Sequence, residues 1–196
     1  MPSPTPHIED TTLAPLLGLA RRAVVAAVRS RTKIDVRLED GPAHWSEHGA
    51  SFLTLRSDGG LRGCCGSIRA IRPLAEDVAR NAWITALEDP RFAAVREGEL
   101  PGLDLELSVL EPLQAREVPG RESLLELLAA ERPGLVIAEG KRRATFLPKV
   151  WDSLPEAGDF LDALLDKGGF SRSRWPEQRE VWTYGTATAR GPLLED

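Results

Sequence analysis

The chain's two cysteines are adjacent, within Leu61-Arg62-Gly63-Cys64-Cys65-Gly66, and a cation stands two residues before the first thiol. Cysteine attacks as a thiolate; its ordinary pKa of about 8.5 falls beside a guanidinium or exposed backbone N–H groups. Residues two apart on a regular strand point to the same side, which would make Arg62 the charge partner of a catalytic Cys64. Gly63 and Gly66 would let a substrate or partner approach the backbone closely. The competing reading makes these glycines the formers of a bulge, with Cys64 a small, apolar-like filler behind it. Cys65 points to the opposite face of any extended backbone and reads as core. A paired-thiol metal site lacks ligands, since zinc takes about four, so neither metal nor cofactor is expected.

Other chemistry-bearing side chains are few. His7 lies near the start of the chain, and His44 and His48 would share a face only on a helical turn; solvated loop histidines are the expectation. Asp89 and Arg91 read either as a carboxylate–guanidinium binding pair near the glycine segment or as a helix stop with a structural ion pair. Lys141, Arg142 and Arg143 follow a turn, where Arg143 could meet an anionic ligand or simply belong to a charged edge strand. Thr145 and Lys149 are lesser candidates for a pocket wall.

These groups need a frame. The periodicity of Leu13, Leu16, Leu17, Ala20, Val24, Ala27 and Val28 predicts a first helix, capped by Asp10 or Thr11, with Pro15 in its opening turn. Ala50–Arg56 reads as a strand that turns at Ser57-Asp58-Gly59-Gly60 into the cysteine segment. Pro73 opens a helix bearing Ala75, Val78, Ala79, Ala82 and Ala86, which stops at Asp89-Pro90. Leu103–Val109 alternates apolar and polar residues, the mark of a one-sided strand. A short helix at 121–130, a hairpin through Glu139-Gly140-Lys141, a helix at about 156–167 and a strand at 181–188 follow. Mixed helices and hairpins without strict alternation predict an α+β fold with a largely antiparallel sheet.

Composition excludes several classes. With 196 residues and 42% hydrophobic content the chain can bury a core. A net charge of −5 with interleaved signs argues against nucleic acid. No apolar run approaches the roughly 20 residues that span a bilayer. Adjacent cysteines, with Cα atoms about 3.8 Å apart, form no relaxed disulfide; a reduced, cytoplasmic protein is expected. Arginine's excess over lysine reads as base composition.

The cysteine segment resembles the Leu-Arg-Gly-Cys-Ile-Gly hallmark of the AMMECR domain, called AmmeMemoRadiSam system protein A in prokaryotes. Phe52-Leu53-Thr54-Leu55, Asp89-Pro90-Arg91-Phe92, Glu99-Leu100-Pro101, Leu107-Ser108-Val109-Leu110, Lys141–Pro148 and Leu164–Phe170 are similar in order to that family. The resemblance covers about Leu13 to Tyr184 and implies one domain over residues 11–188, built of two closely packed lobes, with flexible ends at 1–10 and 189–196. It implies an unassigned reaction, performed alongside a Memo-like protein and a radical-SAM protein. Under it, a thiol-dependent enzyme acting on a small substrate through Cys64 and Arg62, with Gly63, Gly66, Asp89, Arg91, Arg143 and Thr145 around the substrate or partner, stands first. A non-catalytic binding or delivery module stands second. Two departures bear on it: Cys65 replaces the usual isoleucine, and Pro133-Gly134 stands where His-Gly is common.

Overall fold

A computed structural model of the chain describes residues 10–176 and 178–194, with side chains from residue 13 onward. It contains two units, one of residues 1–110 with 187–196 and one of 111–186. Helices and sheets mix throughout, an α+β fold, and every strand pair of described register is antiparallel.

The first unit is built on the sheet order β10-β5-β2-β3, with β2 at Ser51–Ser57, β3 at Gly60–Gly66, β5 at Leu103–Leu110 and β10 at Thr186–Pro192. The helices α1 (Asp10–Ser30) and α2 (Leu74–Leu87) cover one face. Every apolar position predicted for α1 is buried there, and Leu53, Leu55, Leu103, Leu105, Leu107 and Val109 meet them from the sheet. Fully burying side chains of this size contributes about 1.5–3 kcal/mol each. Side chains alternate along a strand, so Thr54, Arg56, Asp104, Glu106 and Ser108 belong to the sheet face turned away from α1 and α2. Pro15 lies inside α1 instead of in its opening turn, and the side chains of Asp10 and Thr11, named as caps, are outside the described residues. A two-stranded ribbon, β1 (His48–Gly49) with β4 (Arg72–Pro73), precedes α2.

The turn between β2 and β3 is where the sequence placed it. Asp58 and Gly59 both have positive φ, 49° and 77°, as a two-residue hairpin of matching twist requires. The bulge, however, falls one residue before the glycine. Leu55 faces Gly63 while Arg56 faces Leu61, which leaves Arg62 as the extra, unpaired residue of β3.

The second unit has the sheet order β6-β9-β7-β8, with β6 at Gln114–Arg116, β7 at Gly134–Glu139, β8 at Arg142–Phe146 and β9 at Arg179–Tyr184. The helices α3 (Arg121–Glu131) and α4 (Ala157–Gly168) pack on it around Phe160, Leu161, Leu164 and Leu165. Gly169, at φ 65°, ends α4 in the left-handed conformation that glycine adopts without strain. Arg179 has a fully buried side chain, stacked between Trp175 and Phe170 and bonded to Glu139 Oε2 at 2.9 Å. Two expectations change here. The strand predicted over 181–188 is broken at Gly185 into β9 and β10, which join different sheets. Residues 189–192, expected as part of a flexible end, continue β10, and Leu193 beyond them is buried. The start of the chain, residues 1–9, lies outside the described residues.

At the start of β2 sits a buried polar cluster. Asp77, wholly inaccessible, accepts hydrogen bonds from Ser51 N–H (3.0 Å), Ser51 Oγ (2.9 Å), Ser67 Oγ (2.7 Å), Arg72 Nη1 (2.9 Å) and Asn81 Nδ2 (2.9 Å). Removing the carboxylate takes a shared acceptor from five donors, and three of those bonds are buried. Asp77→Ala is therefore expected to destabilise the fold by about 3 kcal/mol or more, read as a lowered urea midpoint at unchanged slope.

Candidate functional site

Cys64 lies on β3, the edge strand of its sheet, where backbone groups on the outer side have no neighbouring strand. The loop after α2 supplies what a strand would have supplied. Asp89 Oδ2 accepts the Cys64 N–H at 2.9 Å, and Arg91 Nη2 donates to the Cys64 carbonyl at 2.7 Å. The two side chains also hold each other, Nη2 to Oδ2 at 2.7 Å and Nε to Oδ1 at 3.0 Å. Asp89 is nearly inaccessible while the Arg91 side chain keeps 54% of its exposure. The Arg91 guanidinium holds the Asp89 carboxyl at about 2, against an ordinary 3.8, and the Arg91 pKa rises in turn.

One residue on, the contact comes from α2 itself. The Thr85 hydroxyl accepts the Cys65 N–H at 3.2 Å and donates to the Leu53 carbonyl at 3.4 Å, bridging residues that face each other across β2 and β3. Gly63 is what lets the helix come this close, since a Cβ there would stand 2.6 Å from the Thr85 carbonyl oxygen. At Gly66 a Cβ would meet the Phe52 ring at 2.3 Å. The space beside both glycines is thus occupied by the chain's own atoms, not left for a substrate as the first reading of the sequence had it.

The thiols take opposite faces. Cys64 is half-buried on the side away from α1 and α2, with Thr54 Oγ1 donating to its Sγ at 3.4 Å. Thr54 faces Cys64 on one side and Glu106 on the other, so the three residues form one row across β3, β2 and β5. Cys65 falls on the helix side, as expected, and its thiol pKa is raised, first by burial and then by the Asp89 carboxylate.

Arg62 is not the partner of the thiol. Its guanidinium makes a two-pronged ion pair with Glu99, Nε to Oε1 at 2.7 Å and Nη2 to Oε2 at 3.2 Å, which lowers the Glu99 pKa. The bulge explains the error: Arg62 is the unpaired residue, so the two-residue alternation that would align it with Cys64 is interrupted. The guanidinium that does reach the thiols electrostatically is Arg91.

Arg143 and Thr145 belong to the second unit. The Arg143 guanidinium lies 5.0 Å from the Trp182 ring centre, a cation–π contact. Thr145 donates to the Leu135 carbonyl at 2.8 Å and sits 2.7 Å from the Tyr184 hydroxyl, whose pKa burial pushes up to about 12. Thr145 is therefore a buried structural contact in its own unit, not an open wall. His44 sits in the turn Ala43–Trp45 and His48 on β1, without the shared helical turn that pairing them would need. Among the described residues no three His, Cys, Asp or Glu side chains gather as a metal would require.

The profile of the AMMECR1 family matches residues 17–189. The chain belongs to the AMMECR1 family. A protein of Caldivirga maquilingensis is 33% identical over 181 residues, covering 86% of this chain and 80% of its own. A Thermococcus kodakarensis protein is 35% identical over 170 residues, covering 82% and 80%. The crystal structure of an uncharacterized Pyrococcus horikoshii protein superposes with a TM-score of 0.82 at 29% identity, over 89% of each chain. In this AMMECR1 member the glycine–cysteine segment is thus a strand read by a helix and a loop.

Sequence reasoning passed over Asp77, Asn81, Thr85, Thr54, Glu99 and Glu106. A signal existed for three of them: Asp77, Asn81, Thr85 and then Asp89 recur every four residues, which puts the first three along one side of α2. All four are buried. Folding that depresses a carboxyl pKa adds stability above the ordinary value and loses it as pH falls through the folded one. Acid unfolding between about pH 4 and pH 2 is therefore expected to carry an Asp89 contribution of about 1–2 kcal/mol, discounted for the exposed arginine. Asp89→Asn should flatten that limb in denaturant titrations across the same pH range.

Proposed function

We propose that this AMMECR1 chain is a thiol-dependent enzyme component, an AmmeMemoRadiSam system protein A, handling a small substrate beside a Memo-like and a radical-SAM protein in the cytoplasm. One observation carries the reading: the Cys64 sulfur is half-buried on the polar sheet face and accepts a hydrogen bond from Thr54. A hydroxyl donor at the sulfur fixes where that sulfur sits. The strand holding that sulfur is fixed from behind by Asp89, Arg91 and Thr85, and such rigid support is what a reacting group needs. The charge partner in this reading is Arg91, in place of Arg62.

Mass-spectrometric mapping of iodoacetamide labelling tests it. Cys64 should alkylate faster than Cys65 at pH 7.5, because burial and the Asp89 carboxylate raise the Cys65 thiol pKa. In a reconstitution with the Memo-like and radical-SAM proteins, Cys64→Ser should abolish turnover without changing the melting temperature. Full turnover by a folded Cys64→Ser protein removes the proposal.

A second reading, a non-catalytic binding or delivery module, draws on Arg91. Its guanidinium is half-exposed yet locked at two positions by Asp89, a pre-organised cation for a partner's carboxylate. Co-purification with either partner that survives Cys64→Ala and is lost in Arg91→Ala would favour it.

A further inference from the structure

Arg91 does more than close the clamp on Cys64. A guanidinium offers donors on each of its nitrogens, and in Arg91 two of the three are engaged. Nε donates to Asp89 Oδ1 at 3.0 Å, and Nη2 donates to Asp89 Oδ2 and to the Cys64 carbonyl, both at 2.7 Å. The Nη1 hydrogens have no partner among the described residues, on a side chain that keeps 54% of its exposure.

Asp89 does not cancel this cation. Its oxygens also accept the backbone N–H groups of Cys64 at 2.9 Å and Arg91 at 3.1 Å, so part of the carboxylate charge is answered by the backbone. The Asp89 side chain keeps only 3% of its exposure. An incoming anion therefore meets the guanidinium and not the carboxylate.

Position joins this free nitrogen to the thiol. The carbonyl that Arg91 holds belongs to the residue that bears the sulfur, so cation and thiol lie within one residue's span. Asp89 fixes the same residue through its N–H, and Thr85 fixes the next. With the Nε–Nη2 edge taken by Asp89, Nη1 offers a one-sided contact. That suits a singly charged carboxylate and serves a phosphate dianion poorly.

We propose that Cys64 acts on small carboxylates, with Arg91 Nη1 holding the carboxylate borne by the carbon that the sulfur attacks. The inference rests on the thiol reading above and adds a substrate class to it.

Iodoacetate and iodoacetamide differ in that one group and serve as probes on the wild-type chain. With either, the sulfur forms a C–S bond, iodide leaves with the electron pair of the broken C–I bond, and the thiol proton passes to buffer. The ratio of the two rate constants at Cys64, iodoacetate over iodoacetamide, cancels the sulfur's own reactivity. Its reference is the same ratio for N-acetylcysteinamide, a neutral thiol, in the same buffer. At Cys64 the ratio should stand about fivefold above the reference, the scale of one solvent-screened charge-assisted contact. The chain's net charge of −5 works against that result, so it cannot come from the overall field. Salt at about 0.5 M should shrink the difference, and Arg91→Gln should bring the ratio down to the reference. If the melting curve of that variant shifts, the salt series on the wild-type chain decides alone.

A wild-type ratio at or below the reference overturns the inference. The thiol reading survives that result as long as iodoacetamide labels Cys64 ahead of Cys65. A raised ratio that salt does not move, or that a folded Arg91→Gln protein retains, overturns the inference as well. A Cys64 inert to both reagents overturns the inference and the thiol reading together.

Discussion

Everything around Cys64 depends on a helix that recognises the backbone of an edge strand. Most helices dock on sheets through apolar side chains alone. Here α2 does that with Ala75, Val78, Ala82 and Ala86, and beside them it carries a polar seam. Asp77 and Asn81 hold the start of β2 and the end of β3 through Ser51 and Ser67. Thr85 holds the middle, and Asp89 with Arg91 holds the Cys64 peptide groups. Each buried polar group is affordable only because it is bonded. The seam therefore fixes the strand's position along the helix more sharply than apolar contact would.

That seam also decides which parts of the site could be read from the chain alone. The hairpin was legible because Asp58-Gly59 is a strong local signal. The α1 stripe and the alternation in β5 were legible because their periods are unambiguous. The partner of the thiol was not, since a bulge at Arg62 resets the alternation without any mark in composition. Glycines invite the idea of an approaching ligand, yet at Gly63 and Gly66 the approaching groups are Thr85 and Phe52. Only a fold can say whose atoms fill such a gap.

The same limit separates the glycine segment from the later candidates. Thr145 and Arg143 look like pocket residues because they are polar and follow a turn. In their own unit one is bonded to Leu135 beside Tyr184, and the other lies over Trp182. A long strand reading over 181–188 failed at Gly185 for a related reason: period-two alternation continues across a point where the chain changes sheets. Glu106 and Thr54 were hidden because their importance lies in cross-strand register, a relation between positions distant along the chain that meet only in the fold.

The clamp on Cys64 has a bearing on how the protein behaves in a crowded cell. An uncovered outer strand is an invitation for another molecule's strand to zip alongside it. At the Cys64 peptide both hydrogen-bonding slots are already filled by Asp89 and Arg91 of the same molecule. Any intruding strand would have to evict an ion pair before its first rung could form. The residues that steady the sulfur thus double as a guard against fibrous self-association.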